Sequence, residues 1–454
     1  MRLRRKSSVT IREEAIATVK LGAPLIAAQI AQISIGFVDV VMAGRLSPQA
    51  LAAVAVGSSV WFTVIVLCIG LLVSVSPSVA QLFGAGRHRE IGHCVRQGLW
   101  LSVAAAAACF LVLRAIEPVL DWLHVAPELI PTSIGFLHAI SWGLPAFCVY
   151  QVLRSFSEGV SMTRPAMYGS LIALFGNIAG DYIFMYGKLG LPRLGAVGCG
   201  VSSAITMWLM LVFMAAYIKL KPGYRSFGVF DRFEWPRWTE ISTLARLGTP
   251  IAVSLFMEAS LFGVAALVIG SIGTIAVAGH QIALNVAALT WTVPLGISLA
   301  ITVRVGQAIG RDDPYGARFA GFVGIALGAA FMSISALVMF TVPRVIASIY
   351  TQDPEVKEMA VRLLFMAAIF QIFDGLQVSG AGALRGLKDT KIPMFITTFS
   401  YWGIGMPLGY LLGITLGHGP AGLWIGFIFG LGFAAILLNV RFHLVTSANR
   451  RFPI

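Results

Sequence analysis

The 454-residue sequence is short of charge. Asp, Glu, Lys and Arg together make up 12% of it, against 57% hydrophobic residues and a mean hydropathy of +0.84. Soluble domains carry roughly 25% charged residues, and a folded chain of this length needs a polar surface over its core. Too few charges exist here to supply one. That excludes a water-soluble globular protein and leaves lipid as the solvent for most of the exterior. In lipid only helices and closed barrels satisfy every backbone polar group. The apolar runs are long, rich in Ala, Leu, Ile and Gly, and do not alternate, so the expected fold class is all-α integral membrane and not a barrel.

Other absences narrow the function. The 5 cysteines (Cys68, Cys94, Cys109, Cys148, Cys199) are scattered singly, with no CxxC or Cys/His spacing, so neither a disulfide framework nor a zinc site is expected. There is no HExxH, no Asp-rich prenyl-diphosphate motif and no Walker loop. With no soluble domain to host chemistry, an enzyme is not expected, and no cofactor is called for. A pore-loop signature is also missing, which argues against a channel. Met1–Lys6 is basic but Ser7–Glu14 is polar, so no cleavable signal peptide is expected.

Twelve apolar runs are each long enough to cross a bilayer, which takes about 20 residues. They fall near 16–43, 51–82, 97–116, 131–156, 165–187, 196–218, 241–270, 275–309, 317–342, 359–384, 392–416 and 420–444. The longest polar connection, 219–240, lies near the middle. The expected organisation is an N-terminal lobe over 1–220, a cytoplasmic linker over 221–240 and a C-terminal lobe over 241–454, each lobe with six spans. With the N-terminus placed inside, 25 Lys and Arg fall in inside segments and 7 in outside ones, with Lys20 at a boundary. The bias repeats loop by loop, which puts both termini in the cytoplasm. It also accounts for the net charge of +13 without nucleic acid.

The two halves repeat. Leu21-Gly22-Ala23-Pro24 returns as Leu247-Gly248-Thr249-Pro250, 226 positions later, and the same offset carries Gly44 onto Gly270, Gly70 onto Gly296 and Gln81 onto Gln307. Pro165 matches Pro393 at an offset of 228. Both copies begin with a helix leaving the cytoplasm, so the repeat is parallel, about an axis along the membrane normal. Secondary transporters use such repeats to hold a substrate site between lobes that rock.

Against this background a few polar residues stand out inside spans: Asp39 in the first, Asp181 in the fifth, Glu258 in the seventh and Asp374 in the tenth. A carboxylate at mid-bilayer costs at least about 2.5 kcal/mol on insertion scales, so each needs a partner, a proton or water. Asn177 precedes Asp181 by one helical turn and shares its face. Asp39, Asn177 and Asp181 therefore form one candidate group, with oxygens suited to a hard monovalent cation or a shared proton. Glu258 and Asp374 form a second. Gln371, Asp374 and Gln377 give the tenth span a polar stripe, and Gln281 and Asn285 give the eighth another. These amides line a wet cavity or join helices, and both readings stand at this stage. The repeat pairs Glu258 with Gln32 and Asp39 with Ala265, so neither half copies the other's carboxylate. An apolar surround favours the protonated acid, and a cation can displace that proton. A lobe that binds Na⁺, H⁺ or a cationic substrate one at a time is an antiporter.

Segments around these residues resemble the NorM branch of the multidrug and toxic compound extrusion (MATE) family. They are Val38-Asp39-Val40-Val41-Met42-Ala43-Gly44-Arg45-Leu46, Gln97-Gly98-Leu99-Trp100-Leu101, Leu194-Gly195-Ala196-Val197-Gly198-Cys199-Gly200, Val303-Arg304-Val305-Gly306, Gly382-Ala383-Leu384-Arg385-Gly386-Leu387-Lys388-Asp389-Thr390 and Tyr401-Trp402-Gly403-Ile404-Gly405-Met406-Pro407-Leu408-Gly409. The resemblance runs nearly end to end. It implies a multi-pass protein of the cell (inner) membrane, a monomer by the family's habit. Its two six-helix lobes would export bulky, often cationic compounds in exchange for Na⁺ or H⁺. It places Asp39, Asn177 and Asp181 at an N-lobe coupling site, where Ser203 stands for a Thr often found in relatives, and Glu258 and Asp374 at a C-lobe cation site. Phe370, one turn before Asp374, replaces a Tyr of some relatives and lacks its hydroxyl. A lipid or lipid-linked oligosaccharide flippase of the same superfamily is the alternative. Such cavities are typically basic, whereas the charges singled out here are acidic.

Overall fold

A computed structural model describes residues 10–122 and 126–447. Arg2, Arg4, Arg5, Lys6, Arg450 and Arg451, which contribute to the charge bias, lie outside the described residues. The described residues contain helices and connections and no strand. Each of the twelve expected spans is helical. In chain order they are α1 (Ile11–Leu46), α2 (Pro48–Gly84), α3 (His88–Arg114), α4 (Ile130–Ser141 continued by Leu144–Gly159), α5 (Arg164–Tyr186), α6 (Ala196–Leu220), α7 (Trp238–Gly270), α8 (Thr274–Gly310), α9 (Pro314–Thr341), α10 (Pro354–Gly386), α11 (391–415) and α12 (Pro420–Ser447).

Among the described residues, nine helices are apolar and long enough to span on their own, and α4, bent by 47° at its break, makes a tenth. The other two depart for local reasons. α5 carries Asn177 and Asp181 along a face that would otherwise be apolar. α11 is divided: an α-helical start (Lys391–Thr398) runs into π-helical turns at Phe399–Gly405 and Leu411–Thr415, with Met406–Tyr410 between. π-Turns often mark functional sites, and this one holds Tyr401.

Helix starts follow from sequence. Ser47, Asp313 and Asp353 each precede a proline and accept bonds from the first free amides, Ser47 from Ala50 at 3.0 Å, Asp313 from Gly316 at 2.9 Å and Asp353 from Glu355 at 2.9 Å. An oxygen-bearing cap followed by Pro is the arrangement that satisfies a helix N-terminus with least loss.

The chain forms two compact units. One comprises Ala27–Phe256; the other comprises the residues up to Ile26 together with Met257–Ile454. The change of unit occurs inside α1 and inside α7, shortly after Pro24 and Pro250, the prolines that the 226-residue repeat pairs. In the Ala27–Phe256 unit the core packs Leu72, Val95, Tyr150 and Phe156 among its buried residues. In the other unit it packs Leu364, Phe370, Trp424 and Phe427. There α11 and α12 approach closely through glycines. A Cβ added at Gly426 would lie 2.4 Å from both Gly405 O and Gly409 Cα.

Candidate functional site

Two carboxylate groups sit inside the helical bundle, one in each unit. In the Ala27–Phe256 unit, Asp39 of α1 faces Asp181 and Asn177 of α5 and Cys199 of α6. One ligand atom from each of Asp39, Asp181 and Cys199 lies within 4.8 Å of the others. Asn177, Asp181 and Cys199 are fully buried and Asp39 nearly so. No hydrogen bond engages Asp39 Oδ1, either carboxylate oxygen of Asp181, or the side-chain N and O of Asn177. Groups of this polarity rarely stay unsatisfied when buried, and oxygens set this close have the chemistry to share a proton or to hold a small cation.

α6 is held against α5 at this point by Ser202, whose hydroxyl donates to the backbone carbonyl of Asn177 at 3.1 Å. Ser203, chosen from sequence, is buried one position further along α6. The hydroxyl that meets the α5 acid is that of Ser202. Cys199 and Ser202 were not singled out from sequence. Their spacing of three, one helical turn, was the available signal, but in a Gly/Ala/Ser-rich helix such pairs are common.

In the second unit, Glu258 of α7 and Asp374 of α10 lie within electrostatic reach of each other. Asp374 is 4% exposed. The buried phenol of Tyr401, in the π-turn of α11, faces both acids and its hydroxyl has no partner. The neighbouring Trp402 donates its indole N–H to Met257 O at 3.2 Å, which ties the π-turn to α7 beside Glu258. Arg385, in the last turn of α10, donates to Ser298 Oγ at 2.9 Å and lies within electrostatic reach of Glu258. Tyr401 and Arg385 are the members that sequence reading did not assign here. Both were visible in the resembling segments, but only the fold brings them to the acids.

The amides divide. Gln371 is buried and donates to Thr290 Oγ1 of α8 at 2.5 Å, which is a helix-joining role. The side-chain oxygens of Gln371 and Gln377 have no partner. Gln281 and Asn285 are exposed, and the Asn285 side chain donates to Gln281 O at 2.8 Å within α8. Phe370 is buried in an aromatic cluster, edge-on to Phe262 and Trp424 with centroids 6.1 and 5.6 Å away.

Comparison with known proteins agrees with this architecture. The MatE family model matches twice, over residues 24–183 and 250–411. Its two starts are Pro24 and Pro250, the pair that defines the internal repeat. The chain is 42% identical over 444 residues to the multidrug resistance protein MdtK of Yersinia pseudotuberculosis serotype O:1b (strain IP 31758), covering 97% of each chain. It is equally similar, over the same span, to MdtK of Yersinia enterocolitica serotype O:8 / biotype 1B. Among solved structures it superposes on the eukaryotic MATE transporter AtDTX14 with a TM-score of 0.87 at 18% identity, covering 97% of both chains. It also superposes on an outward-facing MATE transporter of the MOP superfamily with a TM-score of 0.87 at 20% identity, covering 98% and 99%. The twelve-helix, two-lobe fold and the end-to-end similarity identify the chain as a member of the MATE family of transporters, and not as an enzyme.

Proposed function

We propose that the protein exports organic, often cationic compounds in exchange for Na⁺ or H⁺. Two lobes, 1–220 and 241–454, alternate access around the substrate, with 221–240 joining them. The observation that carries this reading is the pair of acid groups within the spanning helices, Asp39/Asn177/Asp181 and Glu258/Asp374. In the first group Asp39, Asn177 and Asp181 carry buried polar atoms without partners. In the second, Asp374 is buried, Glu258 is half-buried, and the unpartnered atom is the Tyr401 hydroxyl that faces both acids. An unpaired charge within a span is costly. Such groups can hold a coupling ion or proton in one state of the cycle and release it in another. The multidrug resistance name of relatives 42% identical over nearly the whole chain supports efflux of drug-like cargo. Acids beside the cargo route favour cations, and Na⁺ or H⁺ moving inward down its gradient supplies the driving force, to which the membrane potential adds roughly 2.3 kcal/mol per net charge carried inward per 100 mV. The protein is placed in the cell (inner) membrane as a monomer with both termini cytoplasmic, in line with the 25-to-7 Lys/Arg bias.

The test is efflux of a fluorescent organic cation from proteoliposomes, first under a Na⁺ gradient at fixed pH and then under a proton gradient without Na⁺. Transport driven by one gradient alone names the coupling ion. Transport under neither would remove the antiport reading and make lipid translocation the next assay. Asp374→Asn and Glu258→Gln are expected to abolish coupled efflux while the protein still folds and inserts. Normal transport in both would eliminate the second group as a coupling site.

A further inference from the structure

The segment between α6 and α7 is not a loose linker. It opens with a 3-10 turn, Pro222–Phe227, whose Tyr224 and Phe227 are buried. Phe227 stacks on His88 at 5.4 Å and meets Phe156 edge-on at 5.5 Å. The chain then runs along one face of α3. Gly92, His93, Arg96, Gln97 and Trp100 follow the 3.6-residue period, and each meets the segment. Gly92 leaves room for the backbone: a Cβ there would stand 2.2 Å from Phe227 O. Arg96 donates to Gly228 O at 2.5 Å and to Glu234 Oε1 at 2.7 Å. His93 pairs with the other Glu234 oxygen at 2.5 Å. The Gln97 side chain donates to Trp235 O at 3.1 Å and accepts from Arg237 N at 2.7 Å. Trp100 donates its indole N–H to Glu234 O at 2.9 Å.

This inward bonding fixes what faces outward. Glu234 points to α3 while its neighbours stay largely open: Phe233 is 69% exposed, its ring touching α3 only edge-on at Trp100 with centroids 6.0 Å apart, and Trp235 is 75% exposed. Trp238, at the start of α7, is 81% exposed. Phe233 and Trp235 meet edge-on at 5.3 Å, so these two rings form a joined pair. Arg232 and Arg237 lie on the same exposed stretch. Arg232 shares Glu234 at 2.7 Å, a carboxylate already engaged by Arg96 and His93. With exposed Asp231 counted against Arg232 and Arg237, the outward face of 230–238 keeps an excess of one positive charge.

A soluble surface rarely gathers large exposed aromatics in one short stretch, and a fixed one needs a cover. The bilayer is at hand. The segment leaves one spanning helix at Leu220 and enters the next at Trp238, so neither end can move away from the membrane surface. Trp rings favour the headgroup layer, and arginines beside them suit phosphate oxygens. We propose that residues 230–238 form an interfacial strap that seats Phe233, Trp235 and Trp238 in the headgroup layer and binds anionic phospholipid through Arg232 and Arg237. The strap joins the two halves of the chain, so this contact ties the covalent bridge between them to the lipid.

The experiment uses the full chain in nanodiscs of zwitterionic lipid, with or without phosphatidylglycerol. Tryptophan fluorescence is quenched in turn by brominated acyl chains and by aqueous acrylamide. The parent is compared with Trp235→Phe/Trp238→Phe and with Arg232→Gln/Arg237→Gln. Removing the two tryptophans, of 10 in the chain, should take away more than two tenths of the bromolipid quenching and little of the acrylamide quenching. The arginine variant should lose its enrichment of phosphatidylglycerol over phosphatidylcholine, read as retained lipid by mass spectrometry. Each basic side chain near an anionic surface contributes roughly fivefold, so the loss for the pair should reach about twentyfold. Acrylamide reaching Trp235 and Trp238 as readily in nanodiscs as in detergent would overturn the seating. Unchanged enrichment in the arginine variant would overturn the anionic contact. Both variants keep Gly92, Arg96, Gln97 and Glu234, so the strap stays docked while its outward face is tested.

Discussion

Glu234→Gln tests whether the connector between the halves is held as described. Glu234 lies outside the spanning helices, and Arg96, with His93 behind it, holds its carboxyl down to about 2 from an ordinary 4.5. Such a depression corresponds to about 3 kcal/mol at face value. Solvent screening at the membrane–water boundary brings the loss on mutation nearer 2 kcal/mol. The backbone bonds from Gln97 and Trp100 survive in the variant, so the effect is local opening of 228–237 and not unfolding. A 2 kcal/mol loss raises the open population about thirtyfold, and cleavage follows that population when reclosing is fast. Arg232 and Arg237 supply tryptic sites within the segment. Limited trypsinolysis at neutral pH, followed by mass spectrometry, should show cleavage there about tenfold to thirtyfold faster in Glu234→Gln than in the parent. Glu240→Gln, an exposed acid nearby, should change nothing. The sign with pH is fixed by the direction of the shift. A depressed acid stabilises above its ordinary value and stops doing so as pH falls from 4.5 towards 2. Pepsin cleavage near Phe233 should therefore rise over that window in the parent and stay flat in the variant. A tryptic rate within twofold of the parent would refute the ionic docking.

Two further outcomes concern transport. Asp39→Asn should cripple coupled efflux in proteoliposomes if the first acid group carries the coupling ion, with the protein still monodisperse in detergent; full activity would confine coupling to the second group. Tyr401→Phe should leave folding intact and lower coupled transport about fivefold, the worth of roughly one hydrogen bond, because its unpartnered hydroxyl faces Glu258 and Asp374; unchanged turnover across a range of ion concentrations would remove it from the site.

The fold was readable because membrane helices advertise themselves by length and apolarity, and the repeat by its prolines. The acids were readable because charge inside a span is rare. What escaped was of two kinds. Cys199, Ser202 and Tyr401 are small or half-apolar residues common in such helices, and only packing decides which of them meets an acid. The docked connector was expected as a polar linker because its sequence is charged. Its order comes from partners 132 to 141 positions earlier on α3, which no local pattern reveals. Arg96 was counted towards topology, and its bond to Glu234 shows that a basic residue near a membrane boundary can also serve as a clamp.

The repeat also explains why each lobe carries only its own acid group. The offset of 228 that pairs Pro165 with Pro393 carries Asn177 onto Gly405 and Asp181 onto Gly409. Gly195 and Gly198 pair with Gly419 and Gly422 at an offset of 224, which carries Cys199 onto Leu423 and Ser202 onto Gly426. Where the first lobe places an amide, an acid, a thiol and a hydroxyl, the second places three glycines and a leucine. Those glycines are in contact, and a Cβ at Gly426 would meet backbone atoms at 2.4 Å. The α11–α12 seam therefore closes where the α5–α6 seam holds its polar cluster, and no carboxylate can be added there without parting the helices. Conversely, Tyr401 pairs with Ala173, which is fully buried in the first lobe. The expected outcome is that Gly426→Ala lowers the melting temperature of the purified protein, with a cost of about 1–3 kcal/mol for overpacking against backbone. Gly36→Ala, on a helix with nothing within 4 Å of the new Cβ, should be neutral or stabilising by up to about 1 kcal/mol. If both variants melt alike, the seam is not close-packed, and the division of acid groups between the lobes needs a cause other than space.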